Sequence, residues 1–160
     1  MSLFDRRTVL ISLAALAGCG FEPVYKKGTS GASLRSQIAM FQPQTRDEYE
    51  LVARLEERLG RNPGAPYLLD VTLRTDSEAL AISRSNDIER YNLSGQATYR
   101  ITDPDAETTI LRGEVNTFTA YSASQQPVAT LAAQRDAERR LMVALADKIT
   151  SEILLSARSL

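Results

Sequence analysis

The sequence contains no histidine and only one cysteine, Cys19. Without histidine there can be no Ser-His-Asp triad, no Cys–His dyad and no zinc site of the usual His and Cys ligand sets. A single cysteine excludes a disulfide within the chain, so burial of apolar side chains must stabilise the fold. The sequence also has no glycine-rich phosphate loop and no serine elbow. These absences predict a protein that is not an enzyme and needs no metal or cofactor.

Two close pairs of acidic residues have structural explanations. Asp103 and Asp105 flank a proline in a tight-turn sequence, where aspartate side chains bond to the backbone. Asp47 and Glu48 follow Thr45, in the pattern of a helix capping box. The alternative reading, an enzyme, would need a deep pocket with converging acids whose mutation abolishes turnover.

Positive and negative charges are nearly equal in number, and the chain length fits one domain. The 160 residues include 19 Lys and Arg and 20 Asp and Glu, a net charge of −1. This balance lacks the basic excess that marks a broad nucleic-acid interface. We therefore expect one domain with a proper hydrophobic core and no nucleic-acid partner.

The N-terminus has the three parts of a secretory signal peptide. A basic pair at residues 6–7 precedes an apolar run at residues 9–16, which is shorter than the roughly 20 residues that span a bilayer. Leu-Ala-Gly-Cys at residues 16–19 resembles a bacterial lipobox, in which the cysteine thiolate takes up a lipid. An ordinary cleaved signal, or a buried apolar helix with an incidental cysteine, is the alternative.

The lipobox interpretation divides the chain into three parts. We expect residues 1–18 to be a lipoprotein signal peptide and residues 19–33 to be a lipidated cysteine with a flexible, Gly-containing tether. Residues 34–160 then form the single folded domain. Because Gly20, and not aspartate, follows the cysteine, resemblance to sorted lipoproteins favours the outer membrane, with the domain on its periplasmic side. The basic pair leaves Sec and twin-arginine export open.

Hydrophobic periodicity predicts the elements of the domain. A helix is expected from Thr45 to Leu59, ended by Gly60, and a long helix from about 127 to 156. A strand is expected over residues 34–42. Three more strands follow, with a bulge near Ser77 that would return Leu80 and Ile82 to the core face.

The order strand, helix, three strands, helix predicts an α+β fold. It is a two-layer sandwich in which two helices pack on one face of a four-stranded sheet (β-α-β-β-β-α). The other sheet face is expected to be polar, and either hydrated or in contact with a partner. Its side chains are Asp70, Thr72, Arg74, Ser94, Gln96, Thr98, Arg100, Arg112, Glu114 and Asn116.

Three stretches together resemble one family. Gly-Phe-Glu-Pro-Val-Tyr at residues 20–25 directly follows the lipobox cysteine. Residues 79–93 are similar to a central hairpin, and residues 129–137 to the opening of a final helix. In this order they resemble LptE, the lipopolysaccharide-assembly lipoprotein, in its alphaproteobacterial form.

The resemblance implies that the protein works by binding partners and not by catalysing a reaction. Members of this family sit as a plug inside the LptD β-barrel of the outer membrane and assist delivery of lipopolysaccharide to the outer leaflet. A polar sheet face fits that role, because the lumen of such barrels is polar. The alternative from another class is an auxiliary lipoprotein of an ABC-type lipid transporter, for which cross-linking would find inner-membrane partners.

The resemblance also implies candidate contacts for lipopolysaccharide, whose head group carries phosphates and carboxylates. Arginine binds such groups bidentately. The matching residues are Arg84 and Arg90 beside the hairpin turn, and Arg139 and Arg140 on the last helix. An alignment slip of one turn would replace Arg139 with Arg135. The alternative for each is a solvated surface arginine.

Overall fold

The computed structural model describes residues 36–82, 88–124 and 126–156. Its elements confirm the predicted order and the α+β class. They are β1 (Ile38–Met40), α1 (Arg46–Leu59), β2 (Tyr67–Ile82), β3 (Ile88–Asp103), β4 (Thr108–Ser122) and α2 (Pro127–Ser156). The predicted signal peptide, Cys19 and the tether lie outside the described residues.

The sheet has the order β1-β2-β3-β4 and is mixed. The last three strands form an antiparallel meander, whereas β1 runs parallel to β2, which it reaches by crossing over through α1. We call the end of the sheet at Tyr67 and Leu111 the near end, and the end at Tyr91 and Tyr121 the far end. Strand β1 pairs only with residues 67–69, so the rest of β2 is an edge strand.

The first strand is shorter than the predicted span of residues 34–42. Ser36 has a φ of 64°, in the left-handed region, and its N–H donates to Leu59 O at 2.8 Å. This conformation interrupts an extended strand before Ile38. After Met40 only one more ladder bond forms, from Phe41 N to Leu69 O, before the chain turns into α1.

The bulge in β2 lies later than predicted. Ser77 pairs regularly with Leu93, and the first register shift falls between Ala79 and Ala81, which leaves Leu80 without a pairing partner. Leu80 is 56% exposed, so the expectation that a bulge near Ser77 returns it to the core is wrong. The physical reason is that no helix covers β2 at this level, so a buried apolar position is not needed there.

Both ends of α1 form as the sequence predicts. Thr45 Oγ1 accepts from Glu48 N, and Glu48 Oε2 accepts from Thr45 N at 3.0 Å, which completes the capping box. Gly60 has a φ of 89° and donates to Glu56 O at 2.8 Å, which ends the helix. The apolar stripe of α1 is buried and comprises Leu51, Val52, Leu55 and Leu59.

Helix α2 lies along the sheet and bonds to it at two widely separated places. Its 30 residues span about 45 Å. Thr119 Oγ1 donates to Ala137 O at 3.1 Å towards the far end, and Tyr99 Oη donates to Glu152 Oε2 at 2.7 Å towards the near end. The predicted stripe faces the core, with Ala137, Leu141, Leu145, Ile149 and Ile153 all buried.

The two helices lie side by side on one face of the sheet. Arg54 and Arg58 on α1 both bond to Asp147 on α2, at 3.0 Å. Burial is the largest cause that raises the pKa of Asp47, in the first turn of α1, and the nearby carboxylate of Glu138 is the next. The first turn of α1 therefore lies close to Glu138 on α2. Past Leu73 the core-facing residues of β2, Thr75, Ser77 and Ala79, are exposed. Neither helix of the described ranges is long and apolar enough to cross a bilayer.

Candidate functional site

The face of the sheet opposite the helices is polar and exposed, as predicted. Alternation along β2, β3 and β4 places one set of side chains on this surface, which we call the polar face. Strand register arranges these side chains in rows across the sheet. From the near end the rows are Asp70–Arg100–Arg112, Thr72–Thr98–Glu114, Arg74–Gln96–Asn116, Asp76–Ser94–Phe118 and Glu78–Asn92–Ala120.

Two arginines lie directly opposite each other in the first row. Arg100 pairs with Arg112 across β3 and β4. Like charges at such positions repel and destabilise a sheet. Asp70 relieves part of this repulsion through a 3.6 Å ion pair with Arg100. Arg112 has no ion pair in the part of the chain that the structure describes, so this end of the polar face is available to an anion.

A hollow opens at the middle of the polar face. Its volume is about 320 Å³, and its lining includes Arg74, Asp76, Asn92, Gln96, Asn116 and Phe118. Two hydrogen bonds order its walls, from Gln96 Nε2 to Glu114 Oε1 at 2.7 Å and from Ser94 Oγ to Asp76 O at 3.3 Å. The volume lies at the lower end of the range for small-molecule sites, roughly 300–1,000 Å³.

Phe118 is the one large apolar side chain among the residues of this lining, and it is 70% exposed. The sequence analysis missed it because the last strand was followed only as far as Asn116, whereas β4 continues to Ser122. The signal was present, since Phe118 has the same parity as Glu114 and Asn116. Extending the alternation by two residues would have placed an aromatic ring on the polar face.

The predicted arginine contacts are divided between two sides of the domain. Arg90 is exposed, pairs with Ser122, and lies on the polar face at the far end. Arg139 and Arg140 are exposed on α2, in the other layer. The structure therefore places them on opposite sides of the sheet. Arg84 lies outside the described residues, as does Cys19.

The two helix arginines are held by a shared carboxylate. Arg140 Nε bonds to Asp136 Oδ2 at 2.8 Å, and Arg139 Nη2 bonds to Asp136 Oδ1 at 2.6 Å. The hydrogen bonds from Arg140 and then Arg139 lower the pKa of Asp136. Arg140 also donates to Ala120 O, at the outer edge of β4. Arg135 is exposed and has no ion pair within the described ranges.

Both acid pairs considered in the sequence serve local structure. Asp103 Oδ1 accepts from Asp105 N at 3.0 Å and from Ala106 N at 3.2 Å, which fixes the turn between β3 and β4. Backbone N–H groups of Gln44 and Thr45 lower the pKa of Glu48, which caps α1. The described residues contain no group of three or more His, Cys, Asp or Glu side chains placed to hold a metal ion.

Solved structures share this architecture. A protein from Caulobacter crescentus described as a lipoprotein superposes with a TM-score of 0.65 at 23% identity, covering 78% of this chain and 93% of that one. Rare lipoprotein B from Shewanella oneidensis gives 0.58 at 11% identity, covering 75% and 93%. A minor lipoprotein from Acinetobacter baumannii gives 0.57 at 19% identity, covering 76% and 92%. At these identities the likeness shows the fold alone.

Sequence comparison gives the family. No curated protein matches the chain. The family model described as LptE, lipopolysaccharide-assembly, matches residues 35–153, which is most of the chain and includes α1, all four strands and all but the last three residues of α2. The chain therefore belongs to the LptE family of lipopolysaccharide-assembly lipoproteins.

Proposed function

We propose that this protein is an outer-membrane lipoprotein that occupies the lumen of an LptD β-barrel and assists transport of lipopolysaccharide to the outer leaflet. Acyl chains on Cys19 would anchor it to the periplasmic side of that membrane. The observation that carries the proposal is the family match over residues 35–153. Lipopolysaccharide assembly is the role of the family as a whole.

The polar face supports placement inside a barrel. Barrel lumens are lined by polar side chains and water, so a matching surface needs hydrogen-bonding groups more than apolar ones. The rows of the polar face supply charged residues of both signs and neutral amides. Such a surface can contact a polar lumen wall directly or through bridging water.

Arg90 is the best placed of the proposed lipopolysaccharide contacts. Its side chain is exposed, and no described residue forms an ion pair with it. Arg139 and Arg140 already share the carboxylate of Asp136, so a phosphate must compete with that ion pair. We propose that Arg90 and Arg84 bind first, with Arg139 and Arg140 as a second contact on the helix side.

The protein acts by contact and carries out no reaction of its own in this proposal. Its hydrogen-bond donors and charged side chains favour one position of the barrel, and one of the lipid, relative to the domain. The family is one of non-enzymatic assembly lipoproteins, which supports this reading.

Purification of the tagged full chain from its host membrane tests the proposal. We expect a large outer-membrane β-barrel to co-purify, and depletion of the protein to reduce both barrel assembly and surface lipopolysaccharide. A Cys19→Ser variant is the matched control for the anchor and should lose membrane attachment. Recovery of only small soluble proteins would overturn the proposal. Recovery of inner-membrane ABC transporter subunits would favour the alternative function.

A further inference from the structure

We propose that the hollow around Phe118 is a saccharide-binding site. An exposed aromatic ring lies there among side chains with unused hydrogen-bonding groups, in an open hollow of about 320 Å³. Within the function proposed above, and resting on it, the saccharide is the sugar part of lipopolysaccharide.

The aromatic ring provides an apolar platform in a polar setting. Phe118 is 70% exposed, and its row neighbours are Ser94 and Asp76. One face of a sugar ring presents C–H groups, which favour the negative face of an aromatic ring. A protein–protein hot spot would be expected to gather several apolar side chains around the ring. The isolation of Phe118 therefore favours a saccharide over a protein segment.

The polar lining offers groups that match neighbouring hydroxyls. The side chains of Arg74, Asn92 and Asn116 make no hydrogen bond in the described part of the chain. An amide presents a donor and an acceptor in one plane, so it can bond to two hydroxyls of one sugar at once. Arg74 adds a planar fork of donors, which suits a hydroxyl pair or an anionic substituent.

The sheet holds these groups at fixed spacing. All of them project from paired strands, so the backbone beneath them need not be ordered when a ligand binds. The row containing Arg100 and Arg112 lies four residues along the strands from the row of Arg74, a distance of about 13 Å. An extended oligosaccharide in the hollow can therefore reach the unpaired charge of Arg112 with a phosphate or carboxylate.

The test is an NMR titration of the isotope-labelled, acylated full chain in detergent micelles. The probe is the lipid-free core oligosaccharide released from lipopolysaccharide by mild acid. We expect amide shifts centred on the rows of Arg74 and Phe118, and a dissociation constant raised at least tenfold by Phe118→Ala. Tyr49→Ala is the matched control, because Tyr49 is a 61% exposed aromatic on α1, and it should leave the titration unchanged. Since both residues are exposed, both variants should keep the fold, which circular dichroism checks.

The outcomes separate this site from the function proposed above. If intact lipopolysaccharide binds but the oligosaccharide shifts no residue of the hollow, the saccharide site is wrong and the function stands. If Phe118→Ala abolishes co-purification of the barrel while the oligosaccharide causes no shifts, Phe118 is a protein contact and the saccharide site is again wrong. If the oligosaccharide binds the hollow but no barrel co-purifies, the site stands and the barrel partnership falls.

Discussion

Tyr99 Oη donates a 2.7 Å hydrogen bond to Glu152 Oε2, which joins β3 to α2 near the end of that helix. Tyr99 is 2% exposed, so its ring belongs to the hydrophobic core while its hydroxyl reaches the rim. Gly113, opposite Tyr99 on β4, leaves the room that the ring occupies. The pair thus fixes where α2 lies across β3 and β4.

Replacing Tyr99 with phenylalanine should weaken the fold without emptying the core. The variant loses a hydrogen bond to a half-buried carboxylate, so we expect the free energy of unfolding to fall by about 1–2 kcal/mol. Urea denaturation followed by circular dichroism measures the change. Tyr121→Phe is the matched control, since its ring stacks on Tyr91 at 5.1 Å and its hydroxyl makes no hydrogen bond within the described ranges. Equal losses in the two variants would contradict the assignment.

The same residue should give the fold an alkaline pH dependence. Burial, followed by the hydrogen bond to Glu152, raises the pKa of Tyr99 above its ordinary value of 10.0. The folded state therefore keeps the proton at a pH where the unfolded state releases it. This stabilisation is complete below the unfolded pKa and is lost as the pH rises towards the folded pKa.

We accordingly expect the stability advantage of the wild type over Tyr99→Phe to stay constant up to about pH 9 and to shrink between about pH 10 and about pH 12. Urea midpoints of both proteins at each pH give the comparison. An advantage that stays constant across this interval would show that Tyr99 ionises at the same pH in the folded and unfolded states.

Gly113 should not tolerate a larger side chain. A Cβ at this position would collide with the ring and hydroxyl of Tyr99, which is buried and cannot move aside. We expect Gly113→Ala to cost about 1–3 kcal/mol, the usual range for overpacking a core. Gly64→Ala is the control, because the nearest atom to its new Cβ would be Asn62 Oδ1 at 3.8 Å. Combining Gly113→Ala with Tyr99→Leu should recover part of the loss, and failure to recover would point to a backbone effect instead.

Asp147 should hold α1 against α2. Its carboxylate accepts from Arg54 Nε at 3.0 Å, Arg54 Nη2 at 3.1 Å and Arg58 Nη1 at 3.0 Å. We expect Asp147→Asn to lower the Tm, by less than Gly113→Ala does, because the three side chains remain partly in water. The loss should shrink at about 1 M salt, where charges are screened within roughly 3 Å. Glu57→Gln, which removes a contact of Arg54 within α1 alone, should have a smaller effect.

Two basic side chains of α2 should protect the outer edge of β4. Arg140 Nη2 donates to Ala120 O at 3.2 Å, and Lys148 Nζ donates to Asn116 O at 2.7 Å. Edge carbonyls without partners invite pairing with another chain. We expect Arg140→Ala combined with Lys148→Ala to increase self-association in sedimentation velocity.

A control with the same loss of charge separates the two causes. Arg139→Ala combined with Arg61→Ala removes two positive charges, and neither arginine bonds to β4 in the described structure. This variant should remain as dispersed as the wild type. Equal association of the two double variants would show that net charge, and not the strand edge, controls solubility.

The sequence predicted the parts of the fold that local chemistry determines. Thr45, Glu48 and Gly60 set the ends of α1 through bonds within a few residues, and the four-residue repeat from Ala137 to Ile153 set the buried side of α2. These signals do not depend on distant parts of the chain. For that reason both helices and the order of the strands were predicted correctly.

Features set by distant contacts were not predictable in the same way. The bulge at Leu80 is a property of the pairing of β2 with β3, which no local pattern of β2 records. The opposition of Arg100 and Arg112 follows from strand register, which includes an irregularity between Ile101 and Thr102. The polar face itself was predictable by alternation. Cys19 and Arg84 lie outside the described residues, so the predictions made for them stay predictions.

Because β1 is short, the two ends of β2 differ in how many strands they pair with. At the near end, β2 is bonded on both sides, to β1 and to β3. Past Leu69 it has a neighbour on one side only. Fewer contacts restrain β2 past Leu69, where Thr75, Ser77 and Ala79 are exposed, than beside β1, where Leu69 is buried in the core. The near end of the sheet is therefore the more rigid part of the domain. The part of β2 past Leu69 can adapt to a curved surface while the hydrophobic core keeps its packing.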